Sequence, residues 1–315
     1  MSVWWNFRRW LVLFLLRIAF SWRRVPQSRS LVSILRFLFP SENGWINADS
    51  RGTWIAEDIA GAKKEAIADR VAASDYILLW IPGGGFRFDL SPLYTHTFKN
   101  WIRALEADKN IHCSIFVAKY RKSPEHQFPA AVEDIRSTYQ WLLDTMNVPA
   151  SKILIGGDDA GAAIAIDLIY LHKIQFEGAI FASPYTGLEA GGESWRANLD
   201  NDYITAAAVD RMEESYIPSE GDQPFTYLPE RIELGQYLPR RMLIFVGGRE
   251  VLLDEAGYLA SRARQGGVNV TMIQSPEQVH LWSILGPVIV PDNRVYQDSV
   301  DHFVRWMSLP KKSKN

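Results

Sequence analysis

The stretch ILIGGDDAGAAIAIDLIY, Ile153 to Tyr170, decides how this chain is built. A short apolar run passes through a glycine-rich turn into apolar residues at helical density. A strand that turns sharply into a helix around G-x-S-x-G forms a nucleophile elbow, which lifts a serine above the edge of a sheet. Here the five residues are Gly157-Asp158-Asp159-Ala160-Gly161, and Asp159 stands at the serine position. The pattern predicts an elbow that carries a carboxylate.

Outward from this point, strands and helices alternate. YILLWI (76–81) is an apolar run ended by glycines and predicts a buried strand. HCSIFVAKY (112–120), KILIG before the elbow, FEGAIFASP, RMLIFVGG and VNVTMIQS predict further strands. THTFKNWIRALEA, PAAVEDIRSTYQWLLDTM, LLDEAGYLASRARQG and VYQDSVDHFVRWMSL carry apolar residues at helical spacing. Such alternation predicts a mostly parallel sheet with helices on both faces. Two segments break it, residues 1–50 and about 185–235, and both are expected to be lid material.

With 47% hydrophobic and 22% charged residues, the chain can bury a large core. A net charge of −2 gives no basic face for nucleic acid. The single cysteine, Cys113, excludes an intrachain disulfide and reads as a buried structural thiol. No metal-ligand spacing and no dinucleotide or Walker pattern is present, so no metal or cofactor is expected.

The opening segment, MSVWWNFRRWLVLFLLRIAFSWRRV, is rich in Trp, Phe and Leu. Its uninterrupted apolar run is shorter than the roughly 20 residues of a membrane span, and no cleavage pattern follows. One reading is an interfacial helix with Arg8, Arg9, Arg17, Arg23 and Arg24 at lipid headgroups. The other is a lid helix whose apolar side covers a pocket. An intracellular protein is expected, cytoplasmic or peripheral on the endoplasmic reticulum membrane. A homodimer is a further expectation; composition does not decide whether it forms through the terminal helix.

Three pieces complete a site around Asp159. Gly83-Gly84-Gly85-Phe86 follows a strand, where backbone N–H groups can point at a developing oxyanion. Glu250 follows a strand and two glycines, the usual place for the acid that orients a histidine. His280 lies in the loop after the last strand, so the chain order is elbow, acid, histidine. Asp254 reads instead as a helix N-terminal charge, and His112, His172 and His302 read as structural. Phe86, Asp158 and Tyr185 flank these groups and are expected to contact substrate.

These residues resemble the hormone-sensitive-lipase-like branch of the α/β-hydrolase superfamily, most of all its fungal steryl-acetyl-hydrolase and biosynthetic-cluster members. PGGGF is similar to that branch's HGGGF, and YRKSPEHQFPAAVEDIRSTYQWL to its PEH…FPAA segment. GGDDAG is similar to GDSAG, SPY to SPW, and GGREVLLDE to its acid loop. SWRANLDNDYI, with Ser194, Asn198 and Asp202 spaced by four, resembles its lid-side segment. The resemblance implies an α/β-hydrolase fold over 51–315, a helical lid from 1–50 and the 185–235 insertion, and serine esterase activity. It implies oxyanion-hole roles for Gly84, Gly85 and Ala160, an acid role for Glu250 and a base role for His280. Pro82 departs from the branch's histidine, and Asp159 from its serine.

Three uses of Asp159 are open. Asp159 and His280 can divide acid and base roles, with the amides stabilising an enolate, which gives dehydration, isomerisation, aldol-type or cyclisation chemistry. Asp159 can be the nucleophile of a hydrolase that forms a covalent alkyl ester. The protein can also be a non-catalytic binder. In each case His280 is the expected partner of a buried carboxylate, and a hydrophobic small molecule, such as a secondary-metabolite intermediate, is the expected guest.

Overall fold

The computed structural model describes residues 3–39, 42–187, 192–224 and 234–309. Two helices come first, α1 (Val3–Ser21) and α2 (Val25–Leu35). A hairpin of β1 (Ile46–Asp49) and β2 (Gly52–Ile55) follows. The alternating part then runs α3 (Lys64–Ala73), β3 (Tyr76–Ile81), α4 (Thr95–Lys109), β4 (Cys113–Ala118), α5 (Ala130–Asp144), β5 (Ile153–Asp159), α6 (Ala160–His172) and β6 (Ala179–Pro184). After α7 (Glu193–Asn198) and α8 (Ala206–Tyr216), it resumes with β7 (Arg241–Gly247), α9 (Leu253–Gln265), β8 (Asn269–Ser275), α10 (Trp282–Ile289) and α11 (Asn293–Met307).

The strands form one sheet in the order β1-β2-β4-β3-β5-β6-β7-β8. β1 to β2 and β2 to β4 are antiparallel; every later pair is parallel. β3, β4, β5, β6 and β7 are buried at every residue, as expected of a parallel sheet covered on both faces. Cys113 is buried in β4, and desolvation pushes its thiol up to about 12, which makes it a core residue.

The sheet begins at Ile46, so the first 50 residues hold a strand as well as the lid helices. Within 185–235, α7 and α8 are helical, while residues 188–191 and 225–233 lie outside the described residues. Local chemistry sets several ends. α4 closes on Asn110 in the left-handed region (φ 52°), and Thr205 caps α8 by accepting from the Ala208 N–H.

Candidate active site

The elbow is sterically forced. Asp159 joins β5 to α6 at φ 47°, ψ −124°, a conformation costly for any residue with a Cβ. A Cβ on Gly161 would stand 2.0 Å from the Ile81 carbonyl oxygen, so only glycine lets α6 start this close to β3. Across from the elbow, the loop after β3 turns through Gly84 at φ 111°. That turn aims successive N–H groups at one point.

What lies at that point is the elbow carboxylate. Oδ2 of Asp159 accepts from Gly84 N–H at 3.1 Å and Gly85 N–H at 2.8 Å, and the Ala160 amide also donates to the carboxylate. Gly84, Gly85 and Ala160 therefore do converge as an anion-holding nest, and Asp159 fills it. Burial pushes the Asp159 pKa up, and the three amides pull it back toward the ionised form.

The structure departs from two expectations. His280 is not the hydrogen-bond partner of Asp159: both its ring nitrogens are buried without a partner. The glycine amides satisfy the carboxylate instead, because they approach from the β3 side, where the elbow already points Oδ2. For the same reason the amides are not available to an enolate oxygen of a substrate. Desolvation holds the imidazole pKa down at about 3, so His280 is neutral at neutral pH and a weaker base than a free imidazole. Its ring packs edge-on against Tyr203, centroids 5.4 Å apart.

Glu250 approaches His280 through an intermediary. Its Oε2 accepts from Ser183 Oγ at 2.7 Å and Gly247 N–H at 2.9 Å, while Oε1 is buried without a partner. Ser183 Oγ in turn accepts from the Leu281 N–H at 3.0 Å. One hydroxyl at the end of β6 thus joins the acid loop to the histidine loop. Burial, followed by the charge of Asp202, pushes the Glu250 pKa well above the usual carboxylate range.

The Ser194, Asn198, Asp202 row ties the lid to the acid loop. Ser194 Oγ donates to Val251 O at 2.6 Å, and Asn198 Nδ2 to Glu250 O at 3.0 Å. Asp202 accepts from Val251 N–H at 2.9 Å, Tyr203 N–H at 2.8 Å and His280 N–H at 3.4 Å. Asp254 stands in the first turn of α9 and accepts from Ser194 N–H at 2.8 Å.

Asp158, expected to contact substrate, is turned into the core instead. It accepts from Trp80 Nε1 at 2.8 Å, Gly83 N–H at 3.0 Å and Tyr94 OH at 2.5 Å, all beneath the glycine loop, because side chains alternate across β5. Burial pushes its pKa up to about 7. Phe86 stacks on Tyr216 at 3.8 Å and meets Tyr185 edge-on, and Tyr185 OH donates to Glu213 at 2.6 Å, which makes an aromatic wall toward α8. His112, His172 and His302 lie near Glu106, Glu133 and Asp298 respectively, in ion-pair positions rather than at the site.

Three residues that sequence reasoning did not single out belong to the site. Ser183 is the bridge just described; SPY was its only signal. Tyr203 covers His280, and its hydroxyl is buried without a partner. Arg87 is buried, and its guanidinium donates to the α1 carbonyls of Phe20 at 3.4 Å and of neighbouring Trp22 at 2.6 Å, which fastens the roof to the glycine loop. Phe20 then packs on Phe88 at 4.8 Å and Tyr203 at 5.8 Å. The inner face of α1 therefore packs directly on residues of the site.

An elbow, an amide nest, an acid loop and a histidine loop in this order on this sheet define an α/β hydrolase. A family model for the alpha/beta hydrolase fold matches residues 78–284, and the chain belongs to that enzyme family. An acetyl-hydrolase of Streptomyces hygroscopicus is 29% identical over 235 residues, covering 72% of this chain and 75% of the relative. An esterase of Acinetobacter venetianus is 31% identical over 222 residues, covering 67% and 69%. Among solved structures, an esterase from the bacterial hormone-sensitive lipase family superposes with a TM-score of 0.74 at 25% identity, covering 96% of this chain and 98% of its own. A mutant of the esterase E40 gives 0.76 at 24%, covering 96% and 99%.

Proposed function

We propose that this protein is a hydrolase in which Asp159 attacks an electrophilic carbon, an epoxide carbon in the first instance, and forms an alkyl ester with the enzyme. The observation that carries this reading is the donation of both glycine amides to a single oxygen of Asp159. With Oδ2 held, Oδ1 is the oxygen that attacks. The ester then has its carbonyl oxygen already in the nest, where the negative charge of the following step develops.

Asp159 Oδ1 bonds to carbon, the epoxide C–O bond opens, and the alkoxide takes the Tyr203 hydroxyl proton. Burial and neighbouring carboxylates keep that phenol protonated beforehand, by raising its pKa well above 10. Neutral His280 takes a proton from water, which attacks Cγ; the tetrahedral oxyanion sits on Gly84 and Gly85. Collapse breaks Cγ–Oδ1, and the departing oxygen takes the proton back from His280. The new carboxylic acid returns a proton to Tyr203. Water and substrate become a diol, and the water oxygen stays in Asp159. At an ester carbonyl the same attack would yield a reactive anhydride, so the substrate differs from that of the esterase relatives. The aromatic wall of Phe86, Tyr185 and Tyr216 supports a hydrophobic guest. The resemblance to fungal biosynthetic relatives supports a secondary-metabolite intermediate.

The test is single-turnover reaction with a panel of aryl and terpenoid epoxides in H₂¹⁸O. One labelled oxygen in the peptide that contains Asp159 is the expected result. Turnover with the label only in the diol refutes the covalent route.

A second reading is favoured by closure of the site: Asp159 is 1% exposed and His280 fully buried beneath α1 and Tyr203. In that case the chain binds a hydrophobic ligand without turnover, and ligand affinity is unchanged in Asp159→Asn.

A further inference from the structure

α1 has two apolar faces. Val12, Leu16, Ala19 and Phe20 are buried against the rest of the chain. On the other side Trp4 is 65% exposed, Phe7 47%, Trp10 57% and Phe14 45%. These four recur at intervals of three and four, so they share one side of the helix. Their rings run in a ladder, with centroids 5.9, 6.2 and 5.2 Å apart in sequence. Trp22, Ile34 and Phe37 are exposed on the same hairpin. Large apolar side chains left in contiguous contact with water mark an interaction surface.

Arginine orientation differs from the sequence expectation. Arg8 donates to Pro287 O and Arg9 to Ile289 O, at the C-terminal end of α10, and Arg17 donates to the carbonyls of Leu199 and Asp202. These three hold α1 to the body by satisfying carbonyls, so they do not reach headgroups. Arg23, Arg24 and Arg36 are exposed instead. No acidic residue occurs in the first 41 residues, which carry seven arginines, while the chain as a whole has a net charge of −2. The hairpin is therefore the positive pole of an otherwise acidic molecule.

We infer that the α1–α2 hairpin docks on the surface of an anionic lipid bilayer, with Trp4, Phe7, Trp10 and Phe14 in the interface and Arg23, Arg24 and Arg36 at the headgroups. Tryptophan beside arginine suits the interface between acyl chains and headgroups. A second copy of this chain suits it less. A symmetric pair would bring the same exposed arginines together with no acid in either segment to pair them. Among the described residues no helix is long and apolar enough to cross a membrane, so α1 lies along the surface.

The experiment is sedimentation of the full chain with vesicles of 70:30 phosphatidylcholine and phosphatidylserine, and with pure phosphatidylcholine. Light scattering gives the oligomeric state. The expected result is a monomer that partitions to the anionic vesicles. At least tenfold weaker partitioning is expected for the variant with Trp4→Ser, Phe7→Ser, Trp10→Ser and Phe14→Ser. The variant with Arg23→Glu, Arg24→Glu and Arg36→Glu should lose the preference for phosphatidylserine. Far-UV circular dichroism and thermal unfolding verify that both variants keep the fold. Equal partitioning of parent and aromatic variant overturns the proposal, as does a parent that stays in the supernatant. A parent dimer that the aromatic variant turns to monomer also overturns it, by making a second copy the occupant. Because the readout is binding alone, it stands or falls apart from the chemistry at Asp159.

Discussion

The Gly85 amide donates to Asp159 Oδ2 across 2.8 Å, so the elbow residue sits inside the nest that a serine esterase keeps for its substrate. A serine hydroxyl is shorter and cannot fill that space. Asp159→Ser is expected to vacate the amides and gain at least tenfold in p-nitrophenyl acetate hydrolysis over the parent. A single oxyanion donor is worth about 10²–10³ in rate, so a vacated nest has ample capacity. Steady-state assays on purified variant and parent decide it; no gain means that His280 and Glu250 cannot serve a serine here.

Ser183 carries two loops on one oxygen. Ser183→Ala leaves the Leu281 N–H unpaired and Glu250 Oε2 with one donor fewer. A loss of about 1–3 kcal/mol is expected in urea unfolding, since a buried polar group loses its partner. Turnover should fall as well, with Ser183→Thr retaining more of it than Ser183→Ala. A variant as stable as the parent would show the bridge to be dispensable.

Glu255 is buried, and its Oε2 accepts from Thr186 N–H at 2.7 Å and Oγ1 at 3.2 Å. Desolvation pushes its pKa up to about 8, so the folded chain keeps a proton that the unfolded chain gives up near 4.5. Between those values the unfolded state binds fewer protons, and stability falls as pH rises. His280, held down at about 3, opposes this only below about 6.5, where the unfolded imidazole begins to protonate. Asp158 and Asp202, raised to about 7, add to the decline up to that pH. From pH 7 to 8 Glu255 by itself contributes a drop of about 1 kcal/mol, with Glu250, whose carboxyl is also raised by burial, adding to the decline and Lys122, lowered to about 8, opposing it. Glu255→Gln keeps an acceptor for Thr186 and cannot ionise. Urea titrations across this range should find a shallower slope in the variant.

Two glycines make an internal contrast. Gly161→Ala would drive a methyl to 2.0 Å from the Ile81 carbonyl oxygen, and the variant is expected to be insoluble or to melt at least 10 °C lower. Gly257 lies within α9 with nothing within 4 Å of a built Cβ. Gly257→Ala is expected to stabilise by about 0.5–1 kcal/mol through backbone entropy. Thermal unfolding of both variants checks the pair.

The strands from β3 to β8 were legible because parallel sheets demand nearly unbroken apolar runs, and YILLWI or RMLIFVGG can be little else. β1 and β2 were not legible: INAD and GTWI are four residues each, too short for an apolar run, and neither alternates. At the site, the loops that bear Asp159, Glu250 and His280 could be placed from chain order alone. Which oxygen meets which donor could not, because it depends on the side from which β3 presents its amides. The same holds for Arg8, Arg9 and Arg17. A helix apolar on two sides does not say which side faces the body, so the spacing gave their row but not their carbonyl partners.

Cys113 offers a practical return. As the sole thiol, sealed within the sheet and resistant to ionisation, it leaves the native surface blank to maleimides and nitroxides. One cysteine substituted at Trp10 or Ile34 would take a single probe without background labelling. Fluorescence or spin-label spectra could then follow the aromatic ladder from water to lipid in real time.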